Sequence, residues 1–188
     1  MALTAMFVAL MVASGWALAL VPNVELVTAL ACVAGATLGP RLGALIGASG
    51  MFIFSATNPV GSGLAFPLLL IAQVIGMALM GLLGGLFVRW PVKRLERAGG
   101  RLLLALAGLT GTVIYDGLTS ISFPLLSGAG TAEIISVLVA GLAFTLLHQV
   151  SNVLIFYLVV PRLIGISRGR QDLLDEPAAS ATQAESTP

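Results

Sequence analysis

Long runs of apolar residues fill most of the chain, and Pro, Gly and Asn residues separate them. Most of these runs approach the ~20 residues that an α-helix needs to cross the hydrocarbon core of a bilayer. Pro and Gly end one helix before another begins, so the breaks divide the chain into six predicted helices. These cover residues 2–20, 24–38, 42–57, 66–88, 102–123 and 132–160. The pattern predicts an all-α membrane protein, a bundle of six transmembrane helices.

The composition changes after Ser167, where Arg, Asp, Glu, Ser, Thr, Ala and Pro replace the apolar residues. Such a segment buries too little apolar surface to become ordered. We therefore expect a six-helix transmembrane domain at residues 1–167 and a disordered cytoplasmic tail at residues 168–188. The first apolar run has no basic residues before it, which favours a retained helix over a secretory signal.

The overall composition agrees with this class of protein. The chain is 58% hydrophobic and only 9% charged, with a mean hydropathy of +1.05, whereas about a quarter of the residues in soluble proteins are charged. Cys32 is the single cysteine and lies in an apolar run. An internal disulfide and a cysteine metal site are therefore excluded, and nothing in the composition favours a nucleic-acid partner.

The basic residues indicate the orientation. Five of the nine Lys and Arg residues lie between Arg89 and Arg101. With six spans, this stretch falls on the same side as both termini, and so do the remaining basic residues. The full set is Arg41, Arg89, Lys93, Arg94, Arg97, Arg101, Arg162, Arg168 and Arg170. Because basic residues stay on the cytoplasmic side, both termini are expected there, in a multi-pass protein of the cytoplasmic membrane.

Polar residues within the apolar runs are the candidates for a site, because polar groups in hydrocarbon are costly. Asp116 and Gln73 each lie about 10 Å below the outer end of their predicted helix. The spacing of Thr112, Asp116 and Thr119 places them on one helix face. We predict a substrate pocket, open to the outside, formed by Asn23, Glu25, Asn58, Gln73, Thr112, Tyr115, Asp116 and Thr119. The alternative is that these groups only hydrogen-bond neighbouring helices.

The charge count bears on Asp116 in particular. If every Lys and Arg is cytoplasmic, no protein cation is expected to reach this carboxyl group. Asp116 would then be protonated, held by hydroxyl and amide donors, or matched by a ligand that carries a cation or several donors.

A second polar group lies in the last predicted helix, where His148 and Asn152 share a face. Counted from the outer end of that helix, His148 is about 21 Å down, in the inner half of the membrane. The two residues are expected to form an interhelical packing cluster or a conformational coupling element. A lone His without other His or Cys ligands does not make a metal site, so neither a metal nor another cofactor is expected.

The chain lacks a phosphate-binding loop, a nucleophilic serine elbow and the H-E-x-x-H zinc motif, so a transport or binding role is expected rather than an enzyme. Small residues recur at four-residue spacing, which lets helix backbones approach closely in lipid. The glycine pairs are explained by packing within the protein, and the alanine stripe faces either the protein or another subunit. These residues are Ala5, Ala9 and Ala13, then Gly35 and Gly39, Gly43 and Gly47, and Gly81 and Gly85.

Several of these segments together resemble a known family, the substrate-binding S components of energy-coupling factor (ECF) transporters. The likeness covers residues 2–165 and includes the six-helix layout. Its sequence elements are Pro22-Asn23-Val24-Glu25, Asn58-Pro59, Gln73-Val74 with Gly76, and His148-Gln149-Val150-Ser151-Asn152.

The resemblance implies a membrane-embedded, high-affinity binding subunit of an ATP-driven importer for a vitamin or related micronutrient. The implied partners are a transmembrane T component, which docks on Ala5, Ala9 and Ala13, and two ATPase subunits. The implied substrate site lies in the outer half. No pattern in the sequence is specific for biotin, riboflavin, thiamine, folate or cobalamin. The alternatives are a structural or assembly membrane protein without a ligand and a self-sufficient transporter, for which no inverted repeat is visible.

Overall fold

The computed structural model describes residues 2–185, with the side chains of these residues other than 123, 172 and 174–185. Within that range the chain is helical and contains no β-strand. A short 3₁₀ helix, Gly63–Ala65, precedes the fourth α-helix. The α-helices are α1 (Ala2–Leu18), α2 (Val27–Leu38), α3 (Pro40–Ala56), α4 (Pro67–Gly85), α5 (Val92–Leu95), α6 (Ala98–Leu126), α7 (Thr131–Leu158) and α8 (Val160–Glu185).

Each of the six predicted apolar helices is therefore present, as α1 to α4, α6 and α7. Among the described residues, α4, α6 and α7 are long and apolar enough to cross a membrane. Helices α1, α2 and α3 have only 17, 12 and 17 residues, fewer than the ~20 of a typical span. The structure thus supports an all-helical membrane protein, and six crossings stay a prediction.

The turn between α2 and α3 is one residue long. Gly39 has a φ of 91°, in the region that favours glycine, and its amide donates a hydrogen bond to the carbonyl oxygen of Gly35. Pro40 then opens α3, as Pro67 opens α4. Proline suits the first turn of a helix because no intrahelical acceptor is available for an amide there. These residues make α2, α3 and α4 consecutive antiparallel neighbours.

Glycine backbones form the contact among these three helices. A Cβ atom on Gly81 of α4 would collide with the backbone of Gly43 in α3, and one on Gly35 of α2 would collide with the Gly81 carbonyl. A Cβ atom on Gly47 would likewise collide with the backbone of α4, and one on Gly85 would collide with Pro40. In lipid, such contacts let dispersion forces act between whole backbones. The prediction that the glycine pairs pack within the protein is confirmed for these positions, whereas Gly39 serves the turn.

Helix α1 packs against α2 and α3 through one face only. Leu3, Phe7 and Met11 of that face are buried. Ala5, Ala9 and Ala13 lie on the other face and are exposed. The alanine stripe is thus not used for packing among the described residues.

Arg168 binds the end of the bundle at which α2 and α4 finish. Its guanidinium group donates hydrogen bonds to the carbonyl oxygens of Ala36, Phe87 and Trp90, at 2.5–3.3 Å. Carbonyls at a helix C-terminus lack intrahelical donors, and the five N–H groups of arginine can satisfy several of them. Arg168 therefore belongs to the helical domain.

This differs from the sequence-based boundary at residue 167. Helix α8 (Val160–Glu185) runs across this boundary, and the disordered tail at residues 168–188 stays a prediction. Arg168 was included in that tail because the residues that follow it are mostly polar. Its hydrogen-bond partners could not be predicted, because they lie far away in the sequence. Residues 186–188 of the predicted tail lie outside the described residues.

The glycine contact gives a stability prediction. Gly81→Ala places a methyl group against the Gly43 backbone and should lower the free energy of unfolding by about 1–3 kcal/mol. Gly141→Ala on α7, where a Cβ meets nothing within 4 Å, should cause no loss. Unfolding of the two purified variants in the same detergent measures the difference. Equal stability of both variants would contradict the proposed close contact.

Candidate functional site

Helices α6 and α7 pair antiparallel, and their register brings together residues far apart in the sequence. A Cβ on Gly108 would touch the Phe156 ring. Asp116 lies eight residues after Gly108, and His148 lies eight residues before Phe156. Asp116 Oδ1 is 2.7 Å from His148 Nδ1. Gln149 Nε2 donates to the other oxygen of Asp116, at 3.3 Å. Both oxygens of the carboxyl group therefore have partners on α7.

This geometry corrects two expectations. Only Lys and Arg were expected as possible cations for Asp116, but His148 reaches it directly. His148 was also assigned to the inner half of the membrane by counting residues from the helix end. That count assumed that neighbouring helices end at one level, and the contact with Asp116 shows that they do not. His148 therefore belongs to the same site as Asp116.

The connection between α1 and α2 brings a second carboxyl group to His148. Asn23 has a φ of 57°, a left-handed conformation that asparagine adopts more readily than most residues. Its carbonyl oxygen accepts a hydrogen bond from Ser151 Oγ on α7, at 2.6 Å. Two residues later, Glu25 Oε2 accepts the amide of Thr28, at 2.8 Å. The connection is thus fixed to α7 and to the start of α2.

These bonds leave the other oxygen of Glu25 facing His148. Glu25 Oε1 is 3.7 Å from His148 Nε2, which is close enough for an ion pair but too long for a hydrogen bond. Oε1 is buried and has no hydrogen-bond partner among the described residues. Burial raises the pKa of this carboxyl group, but the approach of His148 and the bond from Thr28 outweigh it, so the pKa lies below its usual value. The lowered pKa favours the charged form of Glu25.

These groups line a cavity of about 340 Å³ at the end of the bundle that holds the α1–α2 and α3–α4 connections. Val21, near its mouth, is exposed, while Met77 is buried. Small-molecule sites typically have volumes of about 300–1,000 Å³, so the cavity suits a compact ligand. Its polar lining consists of Asn23, Glu25, Asn58, Tyr115, Asp116, Thr119 and His148. Arg41, the stretch 89–101 and Arg168 lie at the opposite end, where α2 and α4 finish.

The structure thus gathers six of the eight predicted substrate-binding residues around one space. The other two have different surroundings. Gln73 Oε1 accepts a hydrogen bond from Ser55 Oγ at 2.7 Å, so α3 and α4 hold each other through it. Thr112 is fully buried one turn below Asp116. Neither residue lines the cavity.

Asn152 occupies the level below His148, as the shared helix face predicts. It is fully buried, and its side-chain amide donates to the His148 carbonyl oxygen at 3.3 Å. Its own oxygen Oδ1 and the Thr112 hydroxyl both lack partners among the described residues. Asn152 is therefore buried within the bundle, outside the cavity lining.

Sequence reasoning missed the apolar side of the site. Met51, Phe54 and Met77 line the cavity together with Gly15 and Leu18. Nothing in their sequence context distinguishes them from ordinary core or lipid-facing residues. His148 was identified as a candidate for its chemistry, but its partner could not be predicted. If α6 and α7 ended at the same height on either side of a turn at residues 127–130, Gly141 would lie opposite Asp116.

Within the described part of the chain, no three His, Cys, Asp or Glu side chains are arranged to hold a metal ion. Comparisons with protein families, with curated proteins and with solved structures gave no match to this chain. The chemistry of the site therefore has to be argued from its geometry.

The contact between Asp116 and His148 can be measured by a double-mutant cycle. We expect His148→Leu and Asp116→Asn to destabilise the protein non-additively, with a coupling of about 1 kcal/mol or more, because each residue loses the same partner. Unfolding of the two single variants and the double variant gives the value. The control pair is His148→Leu with Glu133→Gln, an exposed site at the start of α7, whose effects should add. Additivity in both cycles would rule out the contact.

Proposed function

We propose that this chain is the membrane-embedded substrate-binding subunit of an ECF-type ATP-driven importer, taking up a vitamin or related micronutrient. The observation that carries the proposal is the cavity that holds Glu25, Asp116 and His148. A membrane protein bears the cost of placing three ionisable groups together when they serve a function. A ligand-sized volume beside them supports binding of a small molecule as that function.

The orientation is part of the proposal. Six crossings with both termini in the cytoplasm would put all nine Lys and Arg residues on the cytoplasmic side, in agreement with the positive-inside rule. The cavity lies at the other end of the bundle and would open to the outside of the cytoplasmic membrane. A binding subunit of an importer needs its site on that side.

The energy source is proposed to be a separate set of subunits. The sequence contains no phosphate-binding loop, so ATP hydrolysis requires partners, which are a T component and two ATPases in the family that the sequence resembles. The exposed alanine stripe supports such a partner. Together with Trp16 and Ile53 it lines a shallow apolar groove along α1, where a transmembrane helix could approach the backbone closely.

The proposal predicts that a small molecule is retained by the protein. The chain, purified alone in mild detergent, should carry a compound that mass spectrometry identifies after denaturation. Asp116→Asn removes a carboxyl group from the cavity wall and should lower its retention, and its uptake by cells, about tenfold or more. Glu133→Gln, the matched charge removal outside the cavity, should retain it fully. If none of the three proteins carries a compound, the chain is a structural or assembly protein instead.

The docking surface gives a separate prediction. Ala9→Trp fills the groove on α1 and should abolish copurification with the T component and ATPases, while any retained compound stays bound. Val139→Trp, at an exposed position on α7, adds the same bulk elsewhere and should leave assembly intact. Normal assembly of the Ala9→Trp protein would exclude this face as the docking surface.

A further inference from the structure

The cavity has two walls of different chemistry, which together restrict the ligand. One wall carries Glu25, Asp116 and His148. The other consists of Met51, Phe54 and Met77, and Tyr115 also lines the cavity. Apolar surface gains from being covered by an apolar body, whereas the first wall needs donors. A ligand that satisfies both has a polar head and an apolar, flat or compact body.

The first wall carries more acidic than basic groups. Two carboxyl groups share one imidazole, and no Lys or Arg belongs to the lining that the structure describes. Asp116 is satisfied by His148 and Gln149. Glu25 Oε1 is the atom left over, since it is buried and unpartnered among the described residues. A buried carboxylate oxygen without a donor is costly, and a donor from a ligand would remove that cost.

Three kinds of ligand could supply the donor, and the geometry separates them. A metal ion would need several ligating atoms around it, and the described residues form no such cluster. It would also leave most of the 340 Å³ and the apolar wall uncovered. An anion would be repelled by the two carboxyl groups, with no arginine or lysine to bind it. An organic molecule with N–H donors remains, and a charged donor is favoured over a neutral one because a hydrogen bond between two charged groups is stronger.

We propose that the ligand is a compact organic cation, an amine, amidine or protonated heterocycle, whose N–H donors bind the carboxyl group of Glu25 at the cavity wall while its body lies between Met51, Phe54 and Met77. This inference rests on the proposed function, because it assigns the substrate class of the same cavity. It also moves the cation partner from Asp116, which the sequence favoured, to Glu25.

Three probes of nearly the same shape and different charge test the inference. Benzamidine is a cation with N–H donors, benzamide is neutral, and benzoate is an anion. Binding of each to the purified full-length chain is measured by calorimetry and by the shift of its thermal unfolding midpoint. Benzamidine should bind at least about tenfold more tightly than either of the others, because only it pairs with a carboxylate.

A matched pair of variants locates the interaction. In Glu25→Gln the amide oxygen can still accept the hydrogen bond from Thr28, so the fold is retained while the charge is lost. Its affinity for benzamidine should fall about tenfold or more, to near that for benzamide. Glu133→Gln makes the same change on an exposed turn of α7 and should leave the affinity unchanged.

The inference is overturned if benzoate or benzamide binds as tightly as benzamidine, if benzamidine does not bind at 10 mM, or if both variants behave alike. The comparison of the three probes on the unaltered protein needs no variant, so it stands even if Glu25→Gln fails to fold. A retained natural compound that is neutral or anionic would overturn this inference while upholding the proposed importer function. Absence of any retained compound, with no probe bound, would overturn both.

Discussion

The site depends on one side chain that links three parts of the chain. His148 on α7 pairs with Asp116 on α6 at 2.7 Å, and its other nitrogen faces Glu25, on the connection between α1 and α2. A buried carboxyl group is costly without a partner, and the imidazole meets two of them at once. Removing it would therefore affect a helix pair and a loop together. The cavity exists where these three segments meet, and His148 forms part of its wall.

The other wall has a different physical basis. Helices α2, α3 and α4 approach one another through Gly35, Gly43 and Gly81, where no side chain separates the backbones. Close backbone contact stabilises helix pairs in lipid, where apolar side chains gain little from leaving the solvent. This tight group places Met51 and Met77 in the lining of the same cavity as the ionisable residues. Rigid packing on one side and a polar network on the other thus enclose the same space.

The two ends of the bundle have opposite chemistry. At one end, the guanidinium group of Arg168 binds carbonyls at the ends of α2 and after α4, and Arg94 lies 4.1 Å from the centre of the Trp90 ring. At the other end lie the carboxyl groups and the cavity. This separation has a physical consequence, because the protein's own Lys and Arg are too distant to neutralise the cavity. It also matches the proposed division between an outer binding side and an inner side where ATPases would act.

The sequence by itself determined the six apolar helices, the breaks at Gly39 and at residues 58–63, and most polar residues of the site, because hydrophobic runs and breakers act locally. It also identified the glycine pairs, whose spacing reflects one helix face. Only the tertiary structure decided that His148 meets Asp116, that Glu25 is the carboxylate with an unpartnered oxygen, and that Gln73 serves α3 instead. These outcomes depend on how far one helix is displaced along its neighbour and on where a loop is anchored. Sliding one helix along its neighbour by two turns leaves the hydrophobic pattern of the sequence unchanged, but it changes every residue pair across the interface.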